Sequence, residues 1–193
     1  MSATNISLTL KSMIDNLQLA TFAGGCFWCT EAVFLKLEGV TKVISGYTGG
    51  HIKNPAYREI CTGRTGHAEA IQITFDDTKI SFTELLEVFF ATHSPTTLNR
   101  QGNDVGTQYR SAIFHNNETQ KVKAEEFISF LKKEKVFENP IVTEITPLES
   151  FYLAEEEHQN YYNLNKEQPY CQFIIQPKLK KLSQNYSEKL KKK

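Results

Sequence analysis

The chain has 193 residues, 40% of them hydrophobic, which is enough to build one packed domain. Its 22 basic and 22 acidic side chains cancel, leaving no global field for nucleic acid or an acidic polymer. No stretch approaches the ~18 apolar residues of a membrane span, and "MSATNISLTLKSMIDNLQLA" lacks a secretory signal pattern, so a soluble, cytoplasmic protein is expected.

In chain order, "LQLATFA" reads as a strand that runs into the paired glycines of "GGCFWCTE". "CFWCTEAVFLKLE" then carries apolar residues at helical spacing (Trp28, Ala32, Leu35 and Cys29, Val33, Leu37) up to Gly39, a helix-ending residue. "VTKVIS" reads as a strand, and "GYTGGHIKNPAYREICTGRTG" as a long loop of the kind usually kept for function. "HAEAIQITF" alternates, with Ile71, Ile73 and Phe75 on one face. "SFTELLEVFFATH" opens with Ser81 and Glu84 at capping-box spacing and sets Phe82, Leu85, Leu86, Phe89 and Phe90 in one core stripe. A polar loop, "SPTTLNRQGNDVGT", leads to the strand "QYRSAIFH", the helix "ETQKVKAEEFISFLKKE" and the strand "PIVTEI". A short acidic helix around "LAEEEHQNYY" precedes a β-like "PYCQFIIQPKL". From Lys178 onward seven lysines face one glutamate, which reads as a solubilising tail. Short, one-sided strands alternating with helices predict an α+β fold, a sandwich with a mixed or antiparallel sheet.

In a reducing compartment the four cysteines, Cys26, Cys29, Cys61 and Cys171, point to catalysis, redox exchange or metal binding rather than to a disulfide framework. Cys61 reads as a small buried hydrophobe. Cys26 would sit at the first turn of a helix, where unpaired N–H groups and the helix dipole favour the reactive thiolate, and the glycines before it would clear space for a ligand. Phe27 and Trp28 suit either the core or the wall of an apolar pocket. Tyr57 in "NPAYREI", Glu69 in "GHAEA", and Asp104 and Tyr109 in "QGNDVGTQYRS" are candidates for the same site. A carboxyl kept neutral by an apolar wall, together with two phenols, can donate hydrogen bonds or protons. Each has a plainer reading as a solvated strand residue, a turn-former or packing.

Taken in order, "GGCFWCTEAVF", "GYTGG", "NPAYREI", "TGHAEA", "QGNDVGTQYRSAIF" and "EEEHQNYY" resemble the A-class peptide methionine sulfoxide reductases from about Leu19 to about Cys171. The resemblance implies the family's elaborated ferredoxin-like core and a catalytic domain over 18–177, between an N-terminal extension (1–17) and a basic tail (178–193). It also implies that Cys26 attacks the sulfoxide sulfur, that Phe27 and Trp28 hold the methyl group, and that Glu69, Tyr57 and Tyr109 bind and protonate the oxygen, with Asp104 and His158 supporting the pocket. Cys26 would become a sulfenic acid, which a second thiol condenses to a disulfide. Thioredoxin or a similar dithiol would then reduce the disulfide, with no metal or organic cofactor. The substrate would be methionine S-sulfoxide, free or in proteins, and the enzyme a monomer.

The sequence departs from the family at Cys29, where glycine is common, and in lacking a glycine-rich C-terminal segment. The resolving thiol is therefore either Cys171, slightly favoured as a family position, or Cys29, three residues along the helix from Cys26. Two rival readings carry little weight. "HAE" and "CFWC" are fragments of a zinc deaminase signature in reversed order, and a Cys26–Cys29 redox switch would not need the carboxyl and phenols.

Overall fold

The computed structural model describes residues 16–192; the expected N-terminal extension lies outside them except for its last two positions. Its centre is a six-stranded sheet in the order β7-β6-β1-β3-β2-β8, beside a two-stranded hairpin, β4-β5. The strands are β1 (Leu17–Gly24), β2 (Val40–Thr48), β3 (Ala68–Asp76), β4 (Arg100–Gln101), β5 (Asp104–Val105), β6 (Ser111–His115), β7 (Glu144–Pro147) and β8 (Phe151–Leu153). All neighbours in the large sheet are antiparallel except β6 and β7, which bears out the expected mixed α+β fold.

Period-two alternation sends successive side chains to opposite faces of a strand. On one face Phe22, Ile71, Ile73 and Phe75 join the main core, which α1 (Phe27–Phe34) and α3 (Phe82–Thr92) complete. On the other face Ala23, Ala68, Ala70, Ala112 and Phe114 pack with Leu148 and Phe151. Phe22 stacks on Phe89 at a centroid distance of 4.9 Å, which fixes α3 against the central strand. The capping box at the start of α3 forms as expected: Ser81 Oγ accepts from the Glu84 N–H, and Glu84 Oε2 accepts from the Ser81 N–H.

α1 ends at Phe34, before Gly39, whose φ of +84° turns the chain into β2. β2 runs three residues beyond the expected strand, to Thr48, because its far end pairs with both β3 and β8. The expected acidic helix is a 3₁₀ turn (Glu156–His158) followed by the one-turn α5 (Tyr161–Leu164). The intervening Asn160 adopts φ +51°, and the buried Glu31 carboxylate accepts the Asn160 and Tyr161 N–H groups.

The largest correction is at the C-terminus. "PYCQFIIQPKL", expected to be β-like, is helical: a π-helical stretch (Cys171–Ile175) continues into α6 (Gln176–Asn185). Its β-branched and aromatic residues suggested a strand, but Cys171, Ile175 and Leu182 are buried together at a spacing that only a helix satisfies. The lysine-rich segment is likewise not a free tail. Leu182 is buried, Lys189 Nζ lies 2.6 Å from Glu84 Oε1, and Leu190 bridges to Leu37.

Candidate active site

Gly24 and Gly25 lead from β1 into α1, and packing rather than ligand access explains them. A Cβ at Gly24 would lie 2.9 Å from the Phe89 ring, and one at Gly25, whose φ is +89°, would lie 2.4 Å from Gln101. The space expected for a ligand is filled by these neighbours. The turn delivers Cys26 to the N-cap position of α1, 8% exposed.

Glu69 stands on β3 opposite Tyr47 of β2. It is 2% exposed, and its Oε2 accepts the Phe27 N–H at 3.0 Å. The first free N–H of α1 thus serves the carboxyl group rather than the Cys26 sulfur. Burial is the main force on Glu69 and outweighs that bond, while Asp104 and Cys29 add repulsion; its pKa is pushed up to about 8. Burial thus favours the protonated acid at neutral pH.

Cys26 departs from the expected helix-end thiolate. Desolvation raises its pKa well above the usual thiol range, with the neighbouring Cys29 and Glu69 raising it further and Tyr170 opposing. Cys29 moves the other way, to about 7, chiefly through its hydrogen bond with Cys26 and against desolvation, helped by Lys178 and Tyr170. The two thiols titrate as a coupled pair, so the first ionisation is eased and the second suppressed. The resting pair is therefore a Cys26 thiol beside a readily formed Cys29 thiolate.

The phenols arrive on short helical turns. Tyr57 opens α2 (Tyr57–Ile60) and Tyr109 closes the 3₁₀ turn Thr107–Tyr109. Both are half-buried with raised pKa values, Tyr57 through desolvation and then Cys61, Tyr109 through desolvation and then Glu69 and Asp104, so both remain donors. The Tyr57 ring lies 4.3 Å from that of His158, which packs 5.5 Å from Phe27 and 5.6 Å from Trp28. Burial lowers the His158 pKa despite the nearby Glu155 and Glu157, so the ring stays neutral. Phe27 is fully buried against Tyr47. Trp28 is half-buried and lies flat on Tyr161 at 3.7 Å.

Asp104 faces the other side of the sulfur pair. It accepts the Tyr170 hydroxyl at 3.0 Å, and that oxygen lies 3.7 Å from Cys29 Sγ. Cys171 is wholly buried in the π-helical stretch, where desolvation first and Cys29 second raise its pKa; its sulfur is not the hydrogen-bond partner of Cys26. Cys61, expected to be buried, is exposed, because the single turn of α2 points Ile60 inward and turns the next residue out. His67 is held by Gly50 N and Ile52 O.

The fold thus gathers Cys26, Cys29, Phe27, Trp28, Glu69, Tyr57, Tyr109, Asp104 and His158, and buries Cys171 near Cys29 in the C-terminal segment. It also adds residues that the sequence did not single out. Glu155 accepts the Tyr57 N–H and the Tyr47 hydroxyl, each at 2.8 Å, and so anchors α2. Tyr161 backs Trp28, and Tyr170 with Lys178 flanks Cys29. No local spacing announces these roles, because each partner lies about 100 residues or more away in the chain.

The family model described as peptide methionine sulfoxide reductase matches residues 18–191. The chain is 56% identical over 178 residues to peptide methionine sulfoxide reductase MsrA of Trichodesmium erythraeum, covering 92% of this chain and 99% of that protein. It is 58% identical to the MsrA of Deinococcus radiodurans over 172 residues, 89% of this chain and 84% of the other. Among solved structures, methionine sulfoxide reductase A of Corynebacterium diphtheriae superposes with a TM-score of 0.74 at 38% identity, covering 78% of this chain and 76% of that one. Reduced Mxr1 of Saccharomyces cerevisiae also gives 0.74, at 32% identity over 82% and 91% of the two chains. With the match running through both the sulfur-bearing turn and the C-terminal helix, the chain belongs to the peptide methionine sulfoxide reductase family, MsrA class, and is a thiol-dependent oxidoreductase.

Proposed function

We propose that the chain reduces methionine S-sulfoxide, free or within proteins, by a proton-coupled attack of Cys26 on the sulfoxide sulfur. The observation that carries this reading is the neutral, buried Glu69, bonded to the backbone N–H that follows Cys26. A sulfoxide oxygen is a strong acceptor and leaves its sulfur only as protons reach it. Glu69 supplies a proton while Tyr57 and Tyr109 donate hydrogen bonds to the same oxygen. The substrate methyl rests against Trp28, which Tyr161, Phe27 and His158 hold in place.

The Cys29 thiolate removes the Cys26 proton as Cys26 forms its bond to the substrate sulfur. With the proton from Glu69, the oxygen transfers to Cys26, giving methionine and a Cys26 sulfenic acid. Cys29, now a thiol, attacks that sulfenic acid; the S–O bond breaks, a disulfide forms and water leaves. In this proposal the resolver is Cys29, three residues from Cys26 at the start of α1 and coupled to it, while Cys171 lies fully buried in the C-terminal segment. A thioredoxin-type dithiol regenerates the pair.

A dithiothreitol-driven assay on both epimers of a blocked methionine sulfoxide tests the activity. The S epimer is reduced by wild type and not by Cys26→Ser, and turnover by Cys26→Ser at the wild-type rate overturns the reading. Mass spectrometry after one equivalent of substrate without reductant tests the resolver. The Cys26 disulfide disappears in Cys29→Ser and persists in Cys171→Ser; the reverse pattern assigns the resolving role to Cys171.

A further inference from the structure

The sulfur pair opens on a cavity of about 430 Å³ whose lining includes Cys26, Cys29, Asp104, Tyr170, Ile174 and Lys178. Tyr170, Ile174 and Lys178 come from the C-terminal helical segment, all three within the stretch expected to be β-like. Their side chains make the surroundings of the two sulfurs unequal. Lys178 sets a cation near Cys29 and stabilises its thiolate. Tyr170, tethered to Asp104, holds its hydroxyl 3.7 Å from Cys29 Sγ. At Cys26 burial is the largest influence and opposes a thiolate there.

This asymmetry bears on recycling. An incoming thiolate attacks one sulfur of a disulfide and expels the other, and the better stabilised thiolate leaves faster. We propose that Lys178 makes Cys29 the leaving sulfur of the Cys26–Cys29 disulfide, so that the external dithiol is accepted on Cys26. The inference rests on Cys29 being the resolver. In the first step the S–S bond breaks as a new bond forms between the reductant sulfur and Cys26, and Cys29 departs as thiolate. In the second step the other thiol of the reductant attacks its own linked sulfur and releases Cys26. The dithiol loses two electrons and the enzyme disulfide gains them. Accessibility points the same way, since Cys26 is 8% exposed and Cys29 2%.

The charged and titratable groups around Cys29 are Cys26 on its own helix, Lys178, Tyr170 and Cys171 from the C-terminal segment, Asp104 on β5 and Glu69 on β3. Among them Lys178 is the cation. Lys178→Met therefore moves the pH midpoint for alkylation of Cys29, measured in a Cys26→Ser background, upward, and Lys178→Arg restores it. A purely packing role for Lys178 would leave this midpoint in place.

The deciding experiment oxidises wild-type protein with one equivalent of blocked methionine S-sulfoxide, maps the disulfide, and adds thioredoxin whose second active-site cysteine is serine. The mixed disulfide is quenched, alkylated and located by fragmentation. Attachment to Cys26 with Cys29 alkylated is expected; attachment to Cys29 overturns the proposal. An initial Cys26–Cys171 disulfide instead overturns the resolver assignment beneath it, so the two failures are distinguishable. An unchanged Cys29 midpoint in Lys178→Met overturns the role of Lys178.

Discussion

In the proposed mechanism Glu69 acts as a carboxylic acid that stays protonated at neutral pH. Burial keeps it so, and the one bond that would favour its anion, from the Phe27 N–H, falls short of compensating. Because the folded pKa of about 8 exceeds the unfolded value of roughly 4.3, the folded state binds the extra proton between these limits. Stability contributed by this group is therefore fully present below the unfolded value and is lost as pH rises toward about 8. Glu69→Gln removes this dependence while lowering turnover by roughly 10²–10⁴-fold, the range for loss of a general acid. Denaturant titrations from pH 5 to 9 on both proteins check the first statement and initial rates the second. Glu69 was legible as a candidate from "GHAEA" alone, but its protonation state was not, because that depends on the wall that Phe27, Tyr47 and Asp104 build around it.

The C-terminal helical segment is the element whose structure and use were least legible. A window ending at Ile175 contains mostly strand-forming residues, and the lysines beyond it mask the apolar stripe of Ile175, Leu179 and Leu182. Extending the window to Leu182 recovers the helical period. The segment closes the main core and delivers Tyr170 and Lys178 to the sulfur pair, so fold and function are coupled through it. Leu182→Ala leaves a cavity where the side chain was 1% exposed and costs about 2–5 kcal/mol, read as a lower denaturation midpoint with an unchanged slope. Lys189→Ala, which removes the partly exposed bridges to Glu84 and Glu87, costs only up to about 1 kcal/mol. By contrast, α3 was legible in full, because its capping box and five-residue stripe are local signals that tertiary packing had no reason to override.

At the scale of the molecule, the sequence motifs predicted which residues would meet, while the sheet explains how. β3 carries Glu69 between β1, which leads to Cys26, and β2, which carries Tyr47. The hairpin β4-β5 brings Asp104, and β8 leads to the turn bearing His158. That strand order and the long-range anchors, Glu155 under Tyr57 and Glu31 under Tyr161, rest on contacts across about 100 residues or more, which composition and periodicity do not encode. The assembled site requires two opposite protonation states at once: a Cys29 thiolate, formed as pH rises through about 7, and a neutral Glu69, lost as pH rises through about 8. Single-turnover methionine formation from a blocked S-sulfoxide, followed across pH in wild type and Glu69→Gln, measures both together. A narrow bell with limbs near these values, whose alkaline limb vanishes along with most of the rate in Glu69→Gln, is the predicted result. A Glu69→Gln enzyme with the wild-type rate and profile would contradict the account.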